Sequence, residues 1–180
     1  GMSDVVVTNI SWNQKAKRLV VVYDNSNIDL IDLQGNVTNV PDLYNKSMTE
    51  DKTVNSIINN DKYAYIATNF GGIKLNVASG EVYESYLLGQ SIKRFAISGS
   101  TIYALNTQNK AISASMSTNL QDKANWESTS SYPDGIFNVD NSAYTNNIEL
   151  VKTLKPNGPK YNYFGFLKLH ENKLYTCNGV

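Results

Sequence analysis

A repeat constrains this chain more than any other feature of its sequence. Leu19-Val-Val-Val-Tyr-Asp-Asn-Ser-Asn-Ile-Asp-Leu30 overlays Ala64-Tyr-Ile-Ala-Thr-Asn-Phe-Gly-Gly-Ile-Lys-Leu75 without a gap, 45 residues further on. Both copies read as a strand, a polar turn, and a second strand carrying Ile-x-Leu. A third copy, Thr101-Ile-Tyr103-Ala-Leu105, lies 38 residues after Tyr63-Ala-Tyr65-Ile-Ala67 and is followed by the turn Asn106 to Lys110 and by Ala111-Ile-Ser-Ala. Lys173-Leu-Tyr175-Thr-Cys177 begins a fourth, 72 residues beyond the third. Each copy follows another β-branched or aromatic run: Val7 to Ile10, Val54 to Ile58, Ile92 to Ile97 and Phe164 to Leu169. The turns between runs hold Asn, Asp and Gly, the residues that best tolerate positive φ.

A period of about 40 residues with four strands per unit is the pattern of a propeller blade. The sequence therefore predicts an all-β fold, a partial (open or truncated) β-propeller of about three to four four-stranded antiparallel blades. The blades are placed at 7–42, 53–89 and 91–132. An irregular segment over 135–162 contains one good strand, Asn147 to Val151, and the first strands of a further blade follow at 163–177. A helical turn is expected within Ser115 to Glu127, around Asn119 to Lys123. A β-sandwich also spaces strands by 8–12 residues, but it gives no reason for the gapless overlay. Three and a half blades do not close a ring, since propellers use 4–8. The expectation is a part of a longer protein, standing as an open arc or as two copies that cap each other.

Composition narrows the function classes. Sixteen basic residues balance sixteen acidic ones, so nothing favours phosphate neutralisation and no nucleic-acid partner is expected. The longest apolar run, Leu19 to Tyr23, is far short of the roughly 20 residues that span a bilayer, so no direct membrane span is expected. One Cys and one His exclude an internal disulfide framework and multi-Cys or His-rich metal sites. The 24 Asn, 12 Tyr and only two Arg suit an extracytoplasmic bacterial β-protein. Gly1-Met2 reads as an added dipeptide. The absence of a signal-peptide pattern fits either a cytoplasmic chain or a trimmed export product.

Chemistry-bearing motifs each meet a plainer explanation. His170 sits in a polar turn with no partner for general-base work. Cys177 reads as a small buried residue. Asp24-Asn-Ser-Asn-Ile-Asp29 resembles a calcium loop only at its start, because Ile28 and Gly35 stand where oxygen ligands are needed. Asp29 and Asp32, three apart on a strand, fall on opposite faces and cannot act as a carboxylate pair. Asn69-Phe70-Gly71-Gly72 lacks the Gly-Lys-Ser/Thr end of a phosphate loop and reads as a hairpin. Three N-x-Ser/Thr sequons are no more than chance supplies. No catalytic residue, metal or cofactor is expected.

What remains is recognition. In a propeller the turns between second and third strands share one rim with the links between blades. On this reading the rim holds Asn25, Asn69, Phe70, Gln90, Asn106 and Gln108. Amides beside an aromatic ring suit sugar or peptide recognition by paired hydrogen bonds and stacking. Tyrosines within strands are expected to pack between blades, with Tyr83 and Tyr86 pointing opposite ways.

Asn25 to Ile31, Thr53 to Ile57, Ala67 to Gly71, Ile73-Lys-Leu75 and Leu154-Lys-Pro-Asn-Gly-Pro159 resemble the N-terminal propeller of PorZ-like proteins of Bacteroidetes, over nearly the whole chain. The resemblance implies an exported protein with tandem propellers and a C-terminal sorting domain. It implies a place in type IX secretion at the cell surface, where cargo is attached to anionic lipopolysaccharide. Similar propellers serve as periplasmic sensor regions of hybrid two-component regulators. The resemblance thus implies an extracytoplasmic, non-catalytic module recognising a protein or glycan at the cell envelope. A ligand-sensing propeller of a two-component regulator is the alternative, and a propeller lyase or glycosidase a remote third.

Overall fold

The computed structural model describes residues 1–139 and the backbone of two further strands, Leu167–His170 and Lys173–Thr176. The first three sheets each have four antiparallel strands in chain order. The first contains β1 (Val7–Asn13), β2 (Arg18–Tyr23), β3 (Ile28–Asp32) and β4 (Val37–Val40). A one-turn helix, α1 (Asp42–Asn45), leads to the second: β5 (Val54–Asn60), β6 (Tyr63–Thr68), β7 (Gly71–Asn76) and β8 (Glu81–Leu87). The third is β9 (Ile92–Ser98), β10 (Thr101–Asn106), β11 (Ala111–Ser115) and β12 (Glu127–Thr129). The chain divides into two compact units, Gly1–Phe137 and Asn138–Val180. The second unit holds the antiparallel hairpin β13 (Leu167–His170) and β14 (Lys173–Thr176). The expected strand Asn147 to Val151 lies outside the described residues, as do the side chains of His170 and Cys177.

In the first unit the leading strands β1, β5 and β9 pack in succession, and the sheets stand as three propeller blades. Each leading strand carries a bulge at the same point, at Thr8, Asn55 and Lys93, where one extra residue interrupts the pairing with the next strand. A bulge bends a strand and re-aims a side chain, so the inner rim of every blade is turned alike.

Two apolar cores fill the spaces between blades. Val20, Val22, Ile28 and Leu30 of blade one meet Ala64, Ile66, Ile73 and Leu75 of blade two. Tyr65, Ala67, Tyr86 and Leu88 of blade two meet Phe95, Ile102, Ala104 and Trp126 of blade three. Alternation along each strand sends successive side chains to opposite cores. At the second interface the contact is close: a Cβ on Gly72 would stand 2.4 Å from Phe95 Cε2 and 2.6 Å from the Ile66 carbonyl. Tyr83 is exposed and Tyr86 fully buried, so the two do point apart.

The repeat overlay needs one correction. In blade one Tyr23 N–H donates to Asn27 C=O, leaving Asp24–Ser26 as a three-residue turn. In blade two Thr68 pairs with Gly71, leaving only Asn69 and Phe70. The third strands are therefore offset by one residue, not in the gapless alignment. Blade three repeats the longer turn, with Asn106 N–H donating to Lys110 C=O. The three-residue turns end in the left-handed region, at Ser26 (φ 67°) and Asn109 (φ 60°), and in blade two the first residue of the third strand, Gly71, takes a positive φ of 139°.

The expected helical turn is displaced. Asn119–Lys123 forms turns, and a 3-10 turn follows at Lys123–Asn125, where the Asp122 carboxylate accepts from Ala124 N–H at 2.9 Å. The turn α1, with Leu43 buried beneath it, is an element that the sequence reading did not place.

The surplus of Asn has a structural use. Buried Asn13, at the end of β1, donates through Nδ2 to Asn59 Oδ1 at 3.0 Å and to the carbonyls of Asp61 and Tyr63 at 3.1 and 3.3 Å. Its Oδ1 accepts from Ala16 N–H at 2.8 Å. Asn59 in turn donates to Ser11 Oγ and Trp12 C=O. Blades one and two are thus stapled by amides. Asn55 Nδ2 and Ser56 Oγ do the same between blades two and three, donating to Ile92 C=O and Lys93 C=O at 2.8 and 2.7 Å.

Candidate functional site

The second-to-third-strand turns and the links between blades hold all six residues singled out in the sequence, but the side chain of Phe70 leaves the rim for the core. Their positions are not equivalent. Asn25 donates to Asp4 Oδ2 at 2.8 Å and accepts from Asn27 N–H at 3.0 Å. Asn69 accepts from Asn55 Nδ2 at 2.9 Å and Ser91 Oγ at 2.7 Å, and donates to Asp51 Oδ2 at 2.6 Å. Hydrogen bonds from Thr53 and then Asn69 hold the Asp51 carboxyl below its ordinary pKa. Asn69 is therefore a hub that ties its own turn to the links before and after blade two. Both ends of its amide are occupied.

Phe70 requires a correction. It was placed at the rim as a stacking ring, but it is 2% exposed and belongs to the core between blades one and two. The two-residue turn allows Gly71 to approach the backbone of β8 so closely that a Cβ there would lie 2.1 Å from Tyr86 C=O. Phe70 C=O accepts from Leu88 N–H, and its ring enters the core. The ring cannot stack on a ligand.

Gln90 and Asn106 do come together. Asn106 Nδ2 donates to Gln90 Oε1 at 2.9 Å, while Asn106 Oδ1 accepts from the backbone N–H of Gln108 and Lys110 at 3.0 and 2.9 Å. Asn106 is spent on shaping the turn, and among the described residues nothing accepts from Gln90 Nε2. The pair lines an open cleft of about 600 Å³ on the rim of blade three. Asn109, Lys110, Ser128 and Tyr132 contribute further walls. The Gln108 side chain is exposed beside the same turn and does not line the cleft.

Sequence reasoning missed Asn109 and Lys110 although they belong to the turn it identified. Ser128 carried no signal at all, because only the pairing of β12 with β11 brings it to the rim, and Tyr132 reaches it from the segment that follows β12. A second depression, about 430 Å³, lies among Trp12, Gln14 and Asn59 at the first-to-second-strand turns. Trp12 Nε1 donates to Gln14 Oε1 at 2.7 Å there, and Asn59 is consumed by the staple described above. Among the described residues, the blade-three cleft gathers the amide of Gln90, the ammonium of Lys110 and the hydroxyl of Ser128 beside the ring of Tyr132.

The model of the PorZ N-terminal β-propeller domain, a component named with the type IX secretion system, matches residues 1–127. The chain belongs to this family. Among solved structures, PorZ of Porphyromonas gingivalis, titled an essential bacterial surface component of the type-IX secretion system, is 32% identical with a TM-score of 0.66. That match covers 72% of this chain and 17% of the PorZ chain, so the present chain corresponds to about a sixth of that protein. The designed protein Ika4 is 10% identical with a TM-score of 0.53, covering 73% of this chain and 76% of its own. The propeller of Cps50 (Swd1) from Myceliophteria thermophila is 13% identical with a TM-score of 0.52, covering 71% and 40%. These last two share the fold alone. No curated protein matches the chain significantly.

The PorZ-type resemblance read from the sequence is thus established, and with it the partial propeller. Among the described residues no helix is long and apolar enough to cross a membrane. Among the same residues no group of three or more His, Cys, Asp or Glu gathers to hold a metal ion.

Proposed function

We propose that this chain is a non-catalytic recognition module of a PorZ-like protein, acting outside the cytoplasm at the cell envelope and binding a protein or glycan at the rim of blade three. The observation that carries the reading is the cleft itself. Among the described residues nothing bonds to Gln90 Nε2, Lys110 Nζ or the Ser128 hydroxyl, and Tyr132 offers an exposed ring among them. Such groups hold a ligand through oriented hydrogen bonds and stacking. Proton transfer or nucleophilic attack needs a differently paired set. Family membership supports the envelope setting and the type IX association, since the 32% identical relative is a surface component of that system.

The test is titration of the chain with soluble anionic surface polysaccharide and, separately, with extended peptides, using wild type and a Gln90→Ala/Lys110→Ala variant. Wild type is expected to bind one of the two classes and the variant to lose at least tenfold in affinity. Equal affinity in both proteins, with either probe, contradicts the site.

A further inference from the structure

The link from blade two to blade three, residues 88–91, is held from both blades. Leu88 is buried and its N–H donates to Phe70 C=O at 3.0 Å, which fastens the link to the turn of blade two. Ser91 C=O accepts from Thr107 N–H at 3.2 Å, which fastens it to the turn of blade three. The second bond belongs to a pattern. In each blade the first residue of the second-to-third-strand turn donates its N–H to the residue just before the leading strand: Asp24 to Val6 C=O, Asn69 to Thr53 C=O and Thr107 to Ser91 C=O. A turn thereby holds the link that enters its own blade.

Asn69 adds a bond that this pattern does not require. Its Oδ1 accepts from Ser91 Oγ at 2.7 Å, so the turn of blade two also grips the link that leaves that blade. The same oxygen accepts from Asn55 Nδ2 at 2.9 Å, and Asn55 Nδ2 also donates to Ile92 C=O at 2.8 Å. Asp51 sets the orientation of the Asn69 amide, because an ionised carboxylate only accepts. Asn69 Nδ2 donates to Asp51 Oδ2 at 2.6 Å, which turns Oδ1 toward Ser91. Asp51 is itself held by the N–H and hydroxyl of Thr53 at 2.9 and 2.7 Å. Gln90 lies between these fixed points. It follows Gly89, whose φ of 69° turns the chain, and precedes the doubly held Ser91. Its Oε1 accepts from Asn106 Nδ2 at 2.9 Å.

We infer, on the reading of the blade-three cleft as the binding site, that Asn69 is its positioning residue, fixing Ser91 and through Ser91 the adjoining Gln90. Asn69 does not itself line the cleft. An amide already held where a ligand needs it costs less to order on binding. Without the bond to Asn69, Ser91 is held by blade three alone, Gln90 gains freedom, and the ligand has to order it. Binding then weakens although every group that touches ligand is still present.

The test compares wild type, Asn69→Ala, Ser91→Ala and Gln34→Ala as isotope-labelled full chains, first free and then titrated with soluble anionic surface polysaccharide and with extended peptides. Ser91→Ala removes the bond to Asn69 Oδ1 while leaving Asn69 its bonds to Asn55 and Asp51, so the comparison survives if Asn69→Ala fails to fold. Gln34 is exposed in the turn between β3 and β4 and serves as the remote control. In the free chain, order at the Gln90 side-chain amide and at the Ser91 backbone amide is expected to fall in Asn69→Ala and Ser91→Ala but not in Gln34→Ala. Affinity should fall about three- to tenfold in those two variants. In a Gln90→Ala background the same changes should cost less than about twofold, because Asn69 acts through Gln90; a general loss of structure weakens both backgrounds alike. Unchanged order at Gln90 and Ser91 overturns the inference, and so does an equal loss of affinity in both backgrounds. Failure of the binding reading looks different: wild type then binds neither probe, while the free-chain order still decides whether Asn69 fixes Gln90.

Discussion

Ile28 and Ile73, the same residue of the repeat, enter the same core from opposite sides. Ile28 pairs with Val22 and faces blade two, whereas Ile73 pairs with Ile66 and faces blade one. Equivalent positions in a strict repeat would point the same way round the propeller. The one-residue shorter turn of blade two reverses its third strand, since a slip of one residue moves every side chain to the other face. Insertion of one Gly between Phe70 and Gly71 should therefore turn Ile73 and Leu75 out of the core and abolish cooperative melting. The same insertion beside Gly35, in an exposed turn with open space around it, should leave the melting temperature within a few degrees.

This pair also shows what the sequence made legible and what it concealed. The strand-turn-strand unit, its period and the propeller were readable, because β-branched runs and Asn, Asp and Gly turns recur at fixed intervals. The strand register was hidden, because a turn of two residues and a turn of three leave the same letters in an ungapped overlay. The candidate site was legible in part. Gln90 and Asn106 were found by their place in the links and turns. Ser128 reaches the cleft through sheet pairing and Tyr132 through its packing on Tyr103 after β12, neither of which has a local signature. Phe70 misled because an aromatic in a turn reads as exposed, while the glycine beside it lets the ring fold inward.

Phe70 and Gln90 should separate stability from binding. Phe70→Ala removes a fully buried ring and is expected to cost about 3–5 kcal/mol, seen as a large fall in melting temperature. Gln90→Ala removes a half-buried amide on a link together with its one bond from Asn106 and should cost no more than about 0.5–1.5 kcal/mol. Thermal melts of the two variants beside wild type decide the matter.

Asn13 should behave as a core residue despite being polar. Asn13→Ala deletes bonds to Asn59, Asp61, Tyr63 and Ala16 from a fully buried position. At about 0.5–1.5 kcal/mol per bond, the loss should reach about 2–4 kcal/mol in urea denaturation. Asn13→Asp should be no better, because it places an acceptor where donors are needed.

The N-terminal segment bound to blade one, where Ser3 donates its N–H and hydroxyl to the Asp29 carboxylate at 2.7 Å each, should be sensitive to acid. Burial works against the charged Asp29, yet hydrogen bonds from Ser3, Tyr23 and Asn39 outweigh it and hold its pKa below the ordinary carboxylate value. A folded-state pKa below the unfolded one stabilises the native state above the unfolded pKa, and that contribution is lost as pH falls through the folded value. Tyr23 has the opposite sign: burial first, then its bond to Asp29, pushes its pKa up to about 12. Its contribution is full below the ordinary tyrosine pKa of about 10 and is lost as pH rises toward 12. Stability measured against pH should be flat between these limbs. Asp29→Asn should shrink the acid limb, to which Asp32 and Asp51 also contribute, while lowering the plateau, because an amide cannot accept from both Ser3 donors and Tyr23 without setting its own N–H groups against them.

The central claim is that the blade-three cleft is where this propeller recognises its ligand. The direct measurement is mapping of backbone amide shifts in isotope-labelled chain during titration with soluble anionic surface polysaccharide and with extended peptides. The account predicts saturable shifts gathered at Gln90, Asn106, Asn109, Lys110 and Ser128 with one of these probes. Shifts gathered instead at Trp12, Gln14 and Asn59, or none with either probe at millimolar concentration, would contradict it.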